Sequence, residues 1–184
     1  ISPTSNSALQ TPEAQAAAAV QAITSGISRV VSIRVANRLD THFDEWTTDQ
    51  GPIQERGFNA VAKIVEALDI DYPGIPGKKW LDFTTRIGFS EFCRGAMLNV
   101  NTGRDHSLTN ACFLIGGNIQ GGQVIGSSDS VGESPKDRPV TPADLMATIY
   151  SLLGIDPKLE LHTADGRPVR VAPYEAKVVS ELVS

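Results

Sequence analysis

The sequence predicts an α/β sandwich built around a mainly parallel β-sheet. Two observations support this fold class: segments with helical and with strand periodicity alternate along the 184 residues, and the connections between the first strands are long enough to contain helices. A third is the continuous apolar run at 111–115, which is typical of a strand covered on both faces. In such sheets ligands bind at the carboxyl ends of the strands, so we expect functional residues just after them.

Three helices are predicted from their start and stop signals. The first begins at Thr11-Pro12-Glu13, with a hydroxyl N-cap, a proline and an acidic residue in the first turn, and extends to about Ser25. A third begins with a capping-box-like pattern at 141–144 and ends at Gly154. Between them, a second helix is predicted over roughly 53–68, where the apolar residues recur at helical spacing: Phe58, Val61, Ile64, Val65 and Leu68.

Strands are predicted where β-branched and apolar residues cluster, at 27–35, 80–89, 111–115 and 123–125. The chain after Ile155 is predicted to be a loop with a hairpin turn at Asp165-Gly166. As domains, we expect a flexible arm over 1–10, an α/β domain over 11–170 and a tail over 171–184. Because the chain starts at Ile1 instead of a methionine, we expect that an upstream segment has been removed.

Composition excludes several classes of protein. The net charge of −5 comes from 16 basic and 21 acidic residues without a basic cluster, which argues against nucleic acid as a partner. No apolar run approaches the roughly 18 residues of a membrane span. The two cysteines, Cys93 and Cys112, lack the spacing of a zinc or redox motif; two free buried thiols are expected, with a single bridge as the alternative.

The first candidate cluster is Asp-Thr-His-Phe-Asp at 40–44, after the first predicted strand. In an extended segment, residues two apart share a face, so Asp40, His42 and Asp44 can point the same way. Carboxylate and imidazole groups together suit a divalent metal ion. The alternative is an ordinary solvated loop.

Two further clusters lie beside other predicted strands. In Ser-Glu-Phe-Cys-Arg at 90–94, Glu91 could be a metal ligand or a general base and Arg94 could bind an oxyanion; the alternative is a surface ion pair. In Gly-Arg-Asp-His at 103–106, Asp105 and His106 could converge on one ion, or His106 could serve only in a turn. The third histidine, His162, is expected on the surface.

These clusters, together with the segments around them, resemble one protein family. The residues that carry the resemblance are Asp40–Asp44, Ser90–Arg94, Gly103–His106, Gly121–Gly126, Asp137–Tyr150, Leu153–Pro157 and Asp165–Val169. They follow the order found in the bacterial DUF1501 proteins, a branch similar to the alkaline phosphatase and sulfatase superfamily. The chain resembles the C-terminal part of a member.

The resemblance implies a three-layer α/β/α fold, incomplete at its N-terminus, and hydrolysis of phosphate or sulfate esters. It maps metal-ligand roles onto five residues: Asp40, His42, Glu91, Asp105 and His106. It also implies an extracytoplasmic location, periplasmic or secreted, in a bacterium. In the superfamily the nucleophile and the first metal-binding aspartate come from the N-terminal half, so the missing segment or another chain would have to complete the site.

Two functional hypotheses follow. In the first, a divalent Zn²⁺, Mn²⁺ or Mg²⁺ centre hydrolyses a small anionic ester, with Glu91 as a further ligand or base and Arg94 or Arg104 binding the anionic oxygens. In the second, the chain is an inactive or processed family member that serves as a binding or assembly subunit, because an unfinished sheet exposes an edge to another chain.

Overall fold

The computed structural model describes residues 10–44 and 46–183, which form two compact units. The first contains the described residues up to Asp82 together with Arg94–His106. The second contains Phe83–Cys93 and the described chain from Ser107 onward. The arm predicted for residues 1–10 lies, apart from Gln10, outside the described residues.

The first unit is built on two helices, α1 (Pro12–Thr24) and α2 (Gly51–Leu68). Both were predicted, and the Thr11 N-cap is confirmed because its Oγ1 accepts a hydrogen bond from the Ala14 N–H at 3.2 Å. A short π-helical turn, Trp46–Gln50, leads directly into α2. The two helices pack together, and each carries small buried residues: Ala16 and Ala19 on α1 and Ala60 on α2.

The apolar pattern of α2 only partly predicts the buried face. Leu68 is buried, but Phe58 is 59% exposed, and the other buried positions are Gly57 and Ala60. A Cβ at Gly57 would lie 2.8 Å from the carbonyl oxygen of Val35, so α2 approaches the segment before it through a residue without a side chain. Close backbone approach, which apolar periodicity does not register, therefore helps to set this packing.

The second unit contains three separate two-stranded antiparallel sheets and one helix. After a 3₁₀ turn at Trp80–Phe83, β1 (Thr85–Phe89) pairs with β2 (Cys112–Gly116), with Thr85 opposite Gly116 and Phe89 opposite Cys112. The elements that follow are β3 (Ser127–Ser128), β4 (Pro135–Asp137), α3 (Pro142–Leu152), β5 (Glu160–His162) and β6 (Pro168–Arg170).

In the C-terminal half, helix α3 and the hairpin turn are confirmed, whereas the predicted loop after Ile155 also contains the short strands β5 and β6. Helix α3 has the expected capping box, in which Thr141 Oγ1 accepts from the Asp144 N–H and the Asp144 carboxylate accepts from the Thr141 N–H. The hairpin turn at Asp165-Gly166 joins β5 to β6, with Gly166 at a φ of 82°. The strand predicted at 123–125 is absent, and the chain instead pairs at β3.

The predicted fold class is wrong. No parallel strand pair and no three-layer α/β/α sandwich is present in the described residues, where every strand pair is antiparallel. Parallel strands need a crossover of a dozen or more residues, usually a helix. The segment between β1 and β2 contains no helix and returns the chain to pair in the opposite direction.

The strand predicted at 27–35 is irregular backbone, and no other segment of the described ranges pairs with it. Its β-branched residues point largely to solvent, with Ile27 77% and Val30 62% exposed. The Arg34 N–H donates instead to Oε1 of Gln15 on α1, at 2.9 Å. Without this strand the helix–strand alternation that suggested a parallel sheet disappears.

Both cysteines are free thiols, as expected, but neither is buried: Cys93 is half-buried and Cys112 is exposed. None of the helices in the described ranges has the length and apolar character needed to cross a membrane.

Candidate metal centre

Three side chains of the first unit converge in the way that metal ligands do. Nε2 of His42 lies 3.0 Å from Nε2 of His106 and 3.3 Å from Oδ1 of Asp40. The candidate donor atoms of these three residues all lie within 4.8 Å of one another, a grouping compatible with one divalent metal ion. Two nitrogens bound to one tetrahedral Zn²⁺ stand about 3.3 Å apart when each bond is about 2.0 Å, close to the separation seen here.

The local sequence explains why Asp40 and His42 share a face. Thr41 between them is only 1% exposed, and its Oγ1 donates to Oε1 of Gln50 at 3.0 Å. Because neighbouring side chains in an extended segment alternate, burying Thr41 turns Asp40 and His42 to the opposite side. Asp44 is not part of the group, since the chain turns after His42 and the Asp44 carbonyl accepts from the Thr47 N–H.

The loop 99–106 brings His106 to this face. The Arg104 N–H donates to the Thr41 carbonyl at 3.0 Å, and His106 forms an isolated antiparallel bridge with Arg94. Gly103 allows the approach, because a Cβ there would lie 2.0 Å from the carbonyl carbon of His42. The two segments of the centre are thus joined through their backbones, independently of any ion.

Asp105 contacts the ring nitrogen of His42 that faces away from His106. Its Oδ1 lies 2.9 Å from His42 Nδ1 and also accepts a hydrogen bond from Asn99 Nδ2 at 2.9 Å. These two hydrogen bonds, that from Asn99 first, hold the pKa of the Asp105 carboxyl below its ordinary value. Metal-binding histidines commonly donate their second nitrogen to a carboxylate in this way, which fixes the ring.

Arg94 holds the third candidate ligand. Its guanidinium donates to Asp40 Oδ1 at 2.9 Å, to the Leu39 carbonyl at 3.0 Å and to the Arg104 carbonyl at 3.1 Å. The Arg94 side chain is 11% exposed, against 79% for Asp40. The hydrogen bond from Arg94 keeps the pKa of the Asp40 carboxyl below its ordinary value, so Asp40 is an anion at neutral pH.

Arg104 and Glu91 do not belong to the group of three candidate donors. The Arg104 guanidinium carbon lies 4.3 Å from the ring centroid of Trp46, and Glu91 is an exposed residue after β1, in the second unit. Of the five metal ligands that the resemblance implied, the structure therefore groups Asp40, His42 and His106 and places Asp105 against the far nitrogen of His42.

The sequence did not single out Asn99. Its position in Asn-Val-Asn-Thr-Gly, before the Gly-Arg-Asp-His cluster, indicates a turn, because asparagine and glycine favour turns. That signal does not reveal the contacts of its side chain, which reaches both Asp105 and the His42 carbonyl at 2.9 Å.

A comparison with known protein families matches residues 8–183 to the family described as a protein of unknown function, DUF1501. No curated protein and no solved structure matches the chain. The matched range covers nearly the whole chain, but the description of the family names no activity. The activity therefore has to be inferred from the geometry of the centre.

Proposed function

We infer that this chain, which belongs to the DUF1501 family, binds a divalent metal ion at Asp40, His42 and His106 and hydrolyses a phosphate or sulfate ester there. The observation that carries the proposal is the 3.0 Å approach of the two Nε2 atoms, with Asp105 behind one of the rings. Zn²⁺ and Mn²⁺ accept mixed imidazole and carboxylate ligands, whereas Mg²⁺ favours oxygen, so Zn²⁺ is the first ion to test.

The number of ligands favours catalysis over a purely structural metal. Structural zinc sites are usually closed by four protein ligands, whereas catalytic sites keep three and leave a position for water or substrate. Among the described residues three protein donors converge here, and Asp40 and the His42 side chain are 79% and 34% exposed. A bound divalent ion would polarise an ester and lower the pKa of a bound water.

The other residues of the unit receive supporting roles. Asp105 orients His42, and Arg94 fixes the position and charge of Asp40. Because Arg94 already donates to three protein oxygens, Arg104 is our candidate for contacting the anionic oxygens of the ester. Glu91, in the second unit, has no part in the proposal. From the resemblance to exported family members we also propose an extracytoplasmic location, which fractionation of the producing cells would test.

The test begins with the metal content of the desalted protein, measured by elemental mass spectrometry, followed by hydrolysis of p-nitrophenyl phosphate and p-nitrophenyl sulfate. His106→Ala should lose both the metal and any activity, because it removes one of two nitrogen donors. His162→Ala is the matched control, since His162 is exposed on β5 and outside the cluster. Full metal occupancy in His106→Ala would refute the centre. Bound metal without turnover of either ester would refute the hydrolase.

A second candidate function is binding to another chain, favoured by the edges of the β1–β2 pair. Within the described residues this sheet has only two strands, so each leaves an outer edge without a strand partner, and Phe89 at the end of β1 is 66% exposed. A monodisperse monomer in sedimentation velocity across a wide concentration range would count against self-assembly.

A further inference from the structure

We propose that Asn99, acting through Asp105, is the positioning residue that keeps His42 protonated on Nδ1 and thereby leaves Nε2 as the donor atom that faces His106. The inference deepens the proposed function, on which it rests, by naming what sets the donor atom of the centre. It concerns a residue that need not touch metal or substrate.

Asn99 uses its complete hydrogen-bonding capacity at this point. Its Oδ1 accepts from the backbone N–H groups of Asn101 at 2.9 Å and Gly103 at 3.0 Å. Its Nδ2 donates to the His42 carbonyl and to Asp105 Oδ1, both at 2.9 Å. Since a backbone N–H can only donate, the two contacts on Oδ1 fix which end of the amide is oxygen and turn the NH₂ toward Asp105 and His42.

The Asn99 amide therefore contacts both the backbone of His42 and the carboxylate that its ring faces. One N–H holds the backbone from which the ring projects, and the other holds the carboxylate against which the ring rests. An ionised carboxylate only accepts hydrogen bonds, so the atom that faces Asp105 at 2.9 Å, Nδ1, must carry the proton. In a neutral imidazole the other nitrogen then has a free lone pair, and that nitrogen is the one 3.0 Å from His106.

The loop that carries Asn99 is held in a conformation with an intrinsic cost. Thr102, a β-branched residue, has a φ of 61°, in the left-handed region that such residues rarely occupy. Its carbonyl accepts from Trp46 Nε1 at 2.6 Å, and the two backbone bonds to Asn99 Oδ1 lie on either side of it. Strained turns persist where the surroundings over-determine them, often at functional sites.

Asn99→Asp separates the hydrogen bonds that the side chain accepts from those that it donates. The aspartate has nearly the same shape and still accepts from Asn101 and Gly103, so the loop keeps its support. It loses both donations and sets a second negative charge beside Asp105, which drives that carboxylate away from His42. Asp105→Ala removes the acceptor directly and should have the same effect on His42.

The first readout is the protonation of the His42 ring in metal-free protein. Long-range ¹H–¹⁵N correlation spectra distinguish the two ring nitrogens of a histidine and show which of them carries the proton. We expect the Nδ1–H form of His42 in the wild type and in Asn59→Ala, a control at an exposed position on α2. Asn99→Asp and Asp105→Ala should shift His42 toward the Nε2–H form.

The second readout is Zn²⁺ affinity, measured by competition with a chromophoric chelator. Loss of a residue that orients a ligand commonly weakens metal binding about 10–100-fold, and we expect Asn99→Asp to fall in that range. If Asn99 acts through Asp105, Asn99→Asp should weaken Zn²⁺ binding much less in a protein that already carries Asp105→Ala. The effects of two residues that act through one contact are not additive. Asn59→Ala should bind as the wild type does.

Three results would overturn the inference: an Nε2–H tautomer of His42 in the wild type, an unchanged tautomer and Zn²⁺ affinity in folded Asn99→Asp, or a full loss from Asn99→Asp that persists without Asp105. Should Asn99→Asp fail to fold, Asp105→Ala and the wild-type spectrum still test the tautomer. A wild type with the Nδ1–H tautomer that does not bind Zn²⁺ would refute the proposed function while supporting the positioning of His42.

Discussion

The Nε2 atoms of His42 and His106 lie 3.0 Å apart, within the range of a hydrogen bond. Two lone pairs at this distance repel, so the pair must share a proton or bind a cation between them. With Nδ1 of His42 facing the Asp105 carboxylate, a neutral His42 would carry its proton on Nδ1, and His106 would then donate the hydrogen bond between the two Nε2 atoms. A metal ion that replaces this shared proton would bind both rings with little rearrangement, a pre-organised arrangement that lowers the cost of binding.

The first prediction concerns Gly103→Ala. The new Cβ would lie 2.0 Å from the His42 carbonyl carbon and 2.3 Å from the Phe43 nitrogen, and backbone atoms cannot turn aside as a flexible side chain can. We expect the loop to move away from His42, with a loss of about 1–3 kcal/mol in unfolding free energy and weaker Zn²⁺ binding.

Urea denaturation and Zn²⁺ competition would measure both effects. Gly51→Ala is the matched control, because a Cβ at Gly51 meets nothing within 4 Å. Equal behaviour of the two variants would contradict the close approach between Gly103 and His42.

The second prediction concerns Arg94→Lys. A lysine ammonium keeps the charge but cannot present the planar fork that reaches Asp40 and the carbonyls of Leu39 and Arg104 together. Carbonyl oxygens left without a donor in a largely buried place should lower the unfolding free energy by about 1–3 kcal/mol. Arg29→Lys, at an exposed position in the same unit, should leave the thermal midpoint unchanged.

The helices could be predicted because their signals are local. Thr11 before Pro12 and the Thr141–Asp144 capping box satisfy backbone donors within one turn, so the residues that start each helix are neighbours in the sequence. The apolar run at 27–35 misled because strand formation needs a partner elsewhere in the chain. Because no described segment pairs with this run, Ile27 and Val30 remain exposed to solvent despite their β-branched side chains.

In the candidate site too, the features that depend on neighbouring residues could be predicted and those that depend on distant contacts could not. Asp40 and His42 share a face because they are two residues apart and Thr41 between them is buried, which the sequence pattern indicates. The pairing of His42 with His106 depends on a contact across 64 positions, which no spacing rule predicts. The four hydrogen bonds of Asn99 depend in turn on the left-handed Thr102, a conformation that its residue type disfavours.

The third prediction is a pH dependence from the Glu13–Arg56 ion pair, which joins α1 to α2 through two hydrogen bonds at 2.8 and 2.9 Å. The hydrogen bond from Arg56 lowers the pKa of Glu13 from 4.5 to about 2. A depressed folded-state pKa stabilises the fold above the unfolded value of 4.5, and this contribution is lost as the pH falls from 4.5 toward 2.

Glu13→Gln should therefore be less stable than the wild type at neutral pH, and the difference should vanish as the pH approaches 2. The effect will be small, because both side chains are more than a third exposed and water screens the pair. Urea denaturation at a series of pH values measures it, with Glu55→Gln as a control on the exposed surface of α2. A difference that is constant with pH would exclude the ion pair as its source.

The fourth prediction concerns Arg86 on β1, opposite Ile115 on β2. All three of its guanidinium nitrogens are buried without a hydrogen-bond partner among the described residues, and desolvation lowers the pKa of the group. A cation that gives up water without gaining an acceptor opposes folding. Methionine keeps an unbranched apolar stem and has no charged group, so it removes that cost.

We expect Arg86→Met to raise the unfolding free energy by about 1 kcal/mol, the lower end of the penalty for an unsatisfied buried group, because Arg86 is only partly buried. This corresponds to a rise of roughly 2–4 °C in the melting temperature of a chain of this size. Arg167→Met, at an exposed position between β5 and β6, should change it little. If Arg86→Met instead melts earlier than the wild type, the guanidinium has a stabilising partner in solution, and an anion or ordered water bound beside β1 becomes the explanation to pursue.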